Sequence, residues 1–186
     1  ATIINRYDDY QYINEEKFNL MKIGRIWTGD AFTDNKTITF NTKSPIQPSD
    51  VILYRTKYIA YQSQGNKMTV NINNLNPVTF SVAPDDKREY LPAIYSSTVS
   101  NLSGNQISFN YAPNTGSNPN GKFYFDYAEV QYKEDLKFNN SQMNFRSYGI
   151  AEESGNTYTF NLADASSAEQ VWQVSDITNV VKKINK

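Results

Sequence analysis

The stretch KFYFDYAEVQYKEDLKF, residues 122–138, holds the pattern that decides the fold. Apolar and aromatic side chains recur in it at nearly every second position. That period is typical of a β-strand, because successive strand residues point to opposite faces. On a regular strand the odd-numbered residues from Phe123 to Glu129 share one face, and the even-numbered residues from Tyr124 to Tyr132 share the other. The spacing therefore predicts a strand over 122–133.

Two carboxylates, Asp126 and Glu129, lie in the middle of this strand. A catalytic carboxylate pair must converge on one reacting bond, and the two groups lie roughly 5 to 9.5 Å apart in glycosidases. Asp126 and Glu129 are expected on opposite faces of a regular strand, which defeats such a pair unless a β-bulge intervenes. The pattern therefore predicts structural roles. Asp126 is expected to bond to backbone or to a tyrosine hydroxyl, and Glu129 is expected to face solvent.

The same alternation recurs in further stretches, at 36–42, 50–63, 67–72, 77–83, 89–100, 106–111 and 157–162. Residues typical of turns separate them. Gly65-Asn66 predicts a hairpin, NNLNP at 73–77 a turn, and APNTGSNPNG at 112–121 an exposed loop. Pro92 indicates a sheet edge or a bulge, because proline donates no hydrogen bond to a β-ladder.

Many short strands at close spacing predict an all-β fold, specifically an antiparallel β-sandwich of the jelly-roll type. Helix is expected only as a minor component, with candidate segments at 163–171 and 176–186. The predicted domain organisation is an N-terminal arm or leading strand at 1–17, a β-sandwich module at 18–176, and a linker toward a following domain at 177–186.

Composition excludes several kinds of chemistry. The chain has neither cysteine nor histidine, so Cys–His and Ser–His catalysis and zinc sites built on these residues are excluded. Its 18 basic and 19 acidic residues give no basic face for nucleic acid. No apolar run approaches the roughly 20 residues of a membrane-spanning helix. PDDKRE at 84–89 is interpreted as a solvated turn in preference to a calcium site. The chain is thus predicted to be no enzyme and to have no cofactor, metal ligands or catalytic residues.

The 14 tyrosines leave one alternative open. Tyr54 and Tyr58 share a face of the strand 50–63, and Tyr61 falls on the other face. A row of exposed rings suits a carbohydrate or a partner protein, although sandwich cores also contain tyrosine. A carbohydrate-binding jelly-roll module of an exported protein is therefore the alternative function. A stand-alone hydrolase is disfavoured by the missing histidine and cysteine.

Three stretches together resemble one family. NLMKIGRIWTGDAF at 19–32 matches a segment that precedes that family's peptidase domain at Asn19, Leu20, Gly24, Arg25, Trp27, Gly29 and Phe32, and departs from it at Ile23, Ile26, Thr28 and Asp30. FYFDYAEVQYKEDLKF at 123–138 keeps an Asp-Tyr pair as Asp126-Tyr127 but has Lys133-Glu134 in place of two basic residues. VWQVSDITNV at 171–180 matches at Val171, Trp172, Val174, Asp176, Asn179 and Val180. In this order they resemble the type IX secretion sortases, the PorU family of gingipain-related cysteine peptidases of Bacteroidetes.

The resemblance implies a non-catalytic β-sandwich upstream of a caspase-like cysteine peptidase domain. That family removes C-terminal sorting signals from secreted cargo and helps to attach the cargo to the cell surface. Its catalytic cysteine and histidine belong to the later domain, so no catalytic residue carries over. The implied partners are a following peptidase domain of the same protein and other secretion-system proteins. The implied location is exported, at the cell surface or associated with the outer membrane.

The resemblance gives structural importance to Gly24, Arg25, Trp27, Gly29, Asp126, Tyr127, Trp172 and Asp176. The glycines are expected to form turns or bulges. Trp27 is expected to cap a core or to pack on a neighbouring domain, with a sugar-stacking platform as the alternative. Trp172, with Val174 on the same face, is expected to be buried against the sandwich where the next domain emerges. Residues after Asn179 are expected to be loosely held.

Overall fold

The structure is a computed structural model that describes residues 2–20, 22, 26–61, 66–82, 88–116, 118–139, 141–151 and 155–183. These residues form β1 (Thr2–Ile4), β2 (Arg6–Asn14), β3 (Ala31–Phe32), β4 (Lys36–Ile46), β5 (Ile52–Tyr61), β6 (Lys67–Ile72), β7 (Leu75–Ser81), β8 (Tyr90–Val99), β9 (Gly104–Asn114), β10 (Lys122–Asp135), α1 (Tyr148–Ala151), β11 (Tyr158–Phe160), a 3-10 helix (Ala165–Ser167), β12 (Val171–Gln173) and β13 (Val181–Lys183). Among the described residues, no helix has the length and apolar content needed to cross a membrane.

The chain divides into two compact units. One is Asp9–Glu134, and the other combines Ala1–Asp8 with Asp135–Lys186. We call them the sandwich unit and the terminal unit. The domain boundaries expected from the sequence stay a prediction, because they concern independently folding parts of the chain.

Two sheets make up the sandwich unit. Their strand orders are β2-β10-β5-β8, with β3 also pairing β10, and β4-β9-β6-β7. Without short β3, the sandwich unit has eight long strands, β2 and β4 to β10, which can be counted 1 to 8 in chain order. In this count the first sheet has the order 1-8-3-6 and the second has the order 2-7-4-5. This alternation between sheets is that of a jelly roll. The prediction of an all-β, antiparallel, jelly-roll-like sandwich is confirmed.

Aromatic side chains join the two sheets. The ring of Tyr54 on β5 lies 5.5 Å from that of Phe109 on β9, edge to face. Tyr111 on β9 and Phe125 on β10 form a second such pair at 5.7 Å. The Tyr111 hydroxyl is 2.7 Å from Thr56 Oγ1, so its polar end is satisfied inside the core. These ring pairs pack the two sheets against each other in a chain that has no cysteine.

Turn chemistry predicted some connections correctly. Asn73 and Asn74 join β6 to β7 with φ of 49° and 63°, and Ile72 pairs Leu75 across them. This is the geometry of a two-residue hairpin loop of type I′. Pro92 lies on β8, an edge strand, as its missing N–H requires.

The hairpin predicted at Gly65-Asn66 is wrong. The strands before and after it, β5 and β6, belong to different sheets. The connection therefore passes from one sheet to the other, although Gly65 itself lies outside the described residues. β9 and β10, on either side of the predicted loop at 112–121, likewise belong to different sheets. A turn signal marks where a strand ends, and it does not specify which strand the next one pairs with.

The terminal unit contains short sheets. β1 pairs β11 in parallel, and β12 pairs β13 in antiparallel, with Trp172 opposite Lys182. The helix predictions at 163–171 and 176–186 are wrong. The first segment contains only the 3-10 turn Ala165–Ser167, and the second contains β13. The described residues after Asn179 are thus held in part by pairing with β12.

Candidate functional site

A β-bulge reorganises the middle of β10. Phe125 pairs Tyr58 on β5, and Tyr127 pairs the next residue, Lys57, so that Asp126 is the extra residue. The buried positions change accordingly from Phe123 and Phe125 to Ala128 and Val130. The prediction that Asp126 and Glu129 face opposite sides is therefore wrong, because one inserted residue reverses the alternation beyond it.

Asp126 forms an ion pair on the outer side of this sheet. Its Oδ2 lies 2.7 Å from Lys57 Nζ, and the two side chains are 13% and 17% exposed. The expectation of a partner is confirmed, but the partner is a cation and not backbone or a tyrosine. A pair this little exposed holds the bulge more firmly than a surface ion pair would.

Glu129 is likewise engaged, and not simply solvated as predicted. Its Oε2 accepts a hydrogen bond of 2.7 Å from the Tyr10 hydroxyl on β2. Its Oε1 lies 4.0 Å from an Arg55 nitrogen. Burial, followed by the hydrogen bond to Glu129, raises the pKa of Tyr10 to about 12. Both carboxylates thus have cationic or hydroxyl partners on the outer side of this sheet.

Aromatic rings complete this surface. Tyr12 and Tyr127 lie 5.5 Å apart, and the Arg55 guanidinium lies 5.7 Å from the Tyr127 ring centre. Tyr10 and Tyr12 remain 40% and 47% exposed. We call this surface the tyrosine face, and it comprises Tyr10, Tyr12, Arg55, Lys57, Asp126, Tyr127 and Glu129.

The aromatic row expected on β5 does not reach the surface. Tyr54 and Tyr58 are 7% and 0% exposed and belong to the core. The interpretation of these rings as a sugar-binding row is therefore wrong. Tyr10 and Tyr12, which do reach solvent, come from β2, a stretch (residues 6–14) for which the sequence predicted no aromatic surface.

The segment from Trp27 to Asp30 shows why one glycine is needed. A Cβ on Gly29 would lie 2.9 Å from Glu15 Cβ and 1.6 Å from Glu15 Oε2. Gly29 therefore permits a close approach of two chain segments, and its expected role in a turn or bulge stays a prediction. Trp27 is 45% exposed and does not cap the core. The predicted roles of Gly24 and Arg25 fall on residues outside the described part of the chain.

The terminal unit presents an apolar surface on β12, β13 and the turn between them. We call residues 171–183 the tail hairpin. Its exposed apolar side chains are Trp172 (50%), Val174 (58%), Ile177 (87%), Val180 (46%) and Val181 (41%). The prediction that the Trp172 ring is buried is therefore wrong. Its Nε1 donates a 3.0 Å hydrogen bond to Gln170 Oε1 instead.

Asp176 shapes the turn of the tail hairpin. Its Oδ1 accepts hydrogen bonds from the Thr178 amide at 2.9 Å and from the Thr178 hydroxyl at 2.6 Å. These bonds hold the pKa of Asp176 below its usual value. Asp176 thus forms a local turn that closes the hairpin. The signal for this role was present in the sequence, since aspartate followed by threonine two residues later is typical of such turns.

Comparison with known proteins finds similar solved structures but no related sequence. No protein-family model and no curated protein matches the sequence. A crystal structure of dimeric latent PorU from Porphyromonas gingivalis is similar at 19% identity with a TM-score of 0.60, covering 79% of this chain and 14% of that one. The CBM36-1 domain of a multidomain xylanase from the hindgut metagenome of Trinervitermes trinervoides gives 11% identity and a TM-score of 0.42, covering 66% of this chain and 96% of that one. The similarity to PorU shows a related fold, over a small part of the PorU chain.

Proposed function

We propose that this chain is a non-catalytic β-sandwich module of a gingipain-like cysteine peptidase or sortase of the type IX secretion system. It positions the peptidase domain of the same protein or docks other secretion components. Its location is the surface of an exporting Bacteroidetes cell. Three observations support the proposal: the three sequence stretches in family order, the fold related to PorU, and the absence of cysteine and histidine. The peptidase activity belongs to the parent protein.

The observation that carries the positioning role is the tail hairpin. Trp172, Val174 and Ile177 are each half or more exposed, beside Val180 and Val181. Tryptophan is enriched among the residues that dominate interface energies, and grouped exposed apolar side chains mark interaction surfaces. The occupant that we assign to this surface is the peptidase domain, because the stretch 171–180 resembles the family segment that directly precedes it.

The experiment compares Trp172→Ala with Trp27→Ala in the full-length parent protein. The two tryptophans are the chain's only ones and are similarly exposed, at 50% and 45%. Trp172→Ala is expected to reduce cleavage of a cargo sorting signal and to make the segment after Lys186 more sensitive to limited proteolysis. Trp27→Ala tests whether any exposed tryptophan has this effect. Equal cargo processing by wild type and Trp172→Ala would contradict the assigned docking surface.

The coding sequence of the parent supplies an independent check. A domain with a catalytic cysteine and histidine is expected downstream in the same polypeptide. An unrelated domain in that place would overturn the proposal as a whole. The carbohydrate-binding alternative loses its original basis, because Tyr54 and Tyr58 are core residues.

A further inference from the structure

The outer face of the second sheet contains an open groove that none of the roles above uses. Its volume is about 690 Å³, within the roughly 300 to 1,000 Å³ of small-molecule sites. Eleven residues line it, and every one is Asn, Gln, Ser, Thr or Gly. They come from β4, from β9 and from the turns that precede β9 and β7. We call this cavity the amide groove, and it lies wholly within the sandwich unit.

Hydrogen bonds between neighbouring strands fix the side chains of the groove. Thr37 Oγ1 donates to Asn110 Oδ1 at 3.0 Å, and Asn110 Nδ2 donates to Asn74 Oδ1 at 3.3 Å. Near the other end, Gln106 Nε2 donates to Asn41 Oδ1 at 3.1 Å. These rows hold the amides in place before any ligand arrives, which lowers the entropy lost on binding.

The turn before β7 is anchored to the same surface. Asn73 Nδ2 donates to the Gln106 carbonyl at 2.9 Å, and its Oδ1 accepts from the Ser108 amide at 2.6 Å. The Asn73 side chain thereby continues the pairing of β6 with β9 beyond Ile72. It fixes the turn at the side of the groove, so the concavity is part of the fold and not a chance gap.

Some donors remain available to a ligand. Among the described residues, no hydrogen bond within the protein engages Nδ2 of Asn41 or Nδ2 of Asn74, whose oxygens are already accepting. Each of these amide groups can donate two hydrogen bonds outward. A matching ligand therefore offers several closely spaced oxygen acceptors.

The lining also defines what does not fit. It has no cation for a phosphate or carboxylate, no carboxylate for a cation, and no apolar wall for a hydrophobic ligand. It lies on central strand β9 and on β4, which is an edge strand of this sheet. Its lining side chains belong to the face of the sheet, whereas an extended peptide recognised by strand addition would pair with the backbone along the β4 edge and not with these side chains.

We propose that the amide groove binds a neutral oligosaccharide. Sugar hydroxyls both donate and accept, and they carry no charge, which matches a lining of amides and hydroxyls. The inference rests on the groove alone and is independent of the role assigned to the tail hairpin. Binding is expected to be weak, because the groove is open and lacks an aromatic platform.

The test titrates the ¹⁵N-labelled chain with xylohexaose, cellohexaose and mannohexaose, and with a galacturonic acid hexamer as the charged comparator. Backbone and side-chain amide signals are followed by NMR. At least one neutral hexasaccharide is expected to shift the side-chain amides of Asn41, Asn74 and Gln106, with little dependence on salt. Because the unmodified chain is used, this mapping does not depend on the folding of any variant.

A matched pair of double variants then tests the contact residues. Asn41→Ala with Gln106→Ala removes one hydrogen-bonded pair of the groove and is expected to weaken binding at least about tenfold. Thr69→Ala with Thr79→Ala removes another hydrogen-bonded pair of the same sheet, 2.7 Å apart and outside the groove, and is expected to leave binding unchanged.

Three results would overturn the proposal. The first is that no neutral hexasaccharide shifts any groove signal. The second is that the shifts map to the tyrosine face. The third is that the charged hexamer binds more tightly than every neutral one. None of these results bears on cargo processing by the parent protein, so failure here and failure of the positioning role are separable.

Discussion

At the scale of single residues, Asp126 shows how one side chain supports an irregular backbone. The bulge leaves Asp126 without a partner residue on β5, and Lys57 of that strand pairs with its side chain at 2.7 Å. Asp126→Ala should lower the free energy of unfolding by about 1–3 kcal/mol, because Lys57 is left little exposed and without its anion. Chemical denaturation of both proteins measures this difference.

The control for Asp126 is Asp30→Ala. Asp30 also pairs with a lysine, Lys17, but these side chains are 62% and 54% exposed. Exposed ion pairs stabilise little, so this variant should unfold close to wild type. If Asp126→Ala and Asp30→Ala unfold at the same denaturant concentration, the low exposure of the Lys57–Asp126 pair adds nothing to the stability of the protein.

Gly29 is a second such residue, because the Glu15 side chain leaves no room for a Cβ at this position. Its φ is not in the left-handed range, so the restriction is the Glu15 side chain, which also bonds Lys36 Nζ at 2.7 Å. Gly29→Ala should displace Glu15 and cost about 1–3 kcal/mol. Gly149→Ala, where a Cβ meets nothing within 4 Å, is the control; because Gly149 lies in α1, where alanine is favoured over glycine, this variant should not be destabilised. Thermal melting of both variants decides the matter, and an unaltered melt for Gly29→Ala would contradict the contact.

At the scale of elements, β4 depends on one carboxylate of β10. The register of β4 against β9 shifts between Asn41 and Ile46. Glu134, 1% exposed, accepts from the Lys43 and Ser44 amides at 2.7 Å each and from the Ser44 hydroxyl at 2.5 Å. A buried carboxylate is tolerated there because the irregular strand supplies three donors.

Glu134→Ala should therefore cost about 2–3 kcal/mol, since charge-assisted hydrogen bonds are lost and two partly buried amides lose their acceptor. In Glu134→Ala, the backbone amides of Lys43 and Ser44 should exchange their hydrogens faster than the amides of β9. Glu134→Gln keeps one acceptor oxygen, so its free energy of unfolding should lie between those of Glu134→Ala and wild type. Unchanged protection of both amides in Glu134→Ala would rule out this anchoring role.

At the scale of the whole molecule, tyrosines in the core make stability sensitive to alkaline pH. Burial raises the pKa of Tyr58, Tyr111 and Tyr132, and burial with the Glu129 hydrogen bond raises that of Tyr10 from 10.0 to about 12. The neutral forms are favoured in the folded state, so the unfolded state releases these protons first as pH rises. The contribution of these tyrosines to the free energy of unfolding is complete below pH 10 and is lost progressively as pH rises to about 12 and beyond.

Tyr58→Phe tests this pH dependence cleanly. The Tyr58 hydroxyl is buried and has no hydrogen-bond partner among the described residues, so its removal sacrifices no bond. The variant should be at least as stable as wild type at neutral pH and should lose less stability above pH 10. Denaturant unfolding across pH measures both. Tyr148→Phe is the control, because Tyr148 is 45% exposed, and its stability should depend on pH as that of wild type does. If the stability of Tyr58→Phe also depends on pH as that of wild type does, the role assigned to the buried Tyr58 hydroxyl is wrong.

The sequence by itself determined the local features of this protein. Alternation identified the long strands from β4 to β10, Pro92 indicated an edge or a bulge, and NNLNP at 73–77 indicated a turn, which the structure places at Asn73-Asn74. The absence of cysteine and histidine excluded whole classes of chemistry. These features could be predicted because they depend on backbone angles and side-chain direction within a few residues.

Only the tertiary structure decided which strands are neighbours and which side chains meet. The connection after β5 changes sheets, the bulge at Asp126 turns both carboxylates to one face, and Trp172 stays exposed. The amide groove joins Thr37, Asn74 and Asn110, which are far apart in the chain. Periodicity could not show these outcomes, because it is a local property, whereas pairing, register and burial follow from the packing of two whole sheets.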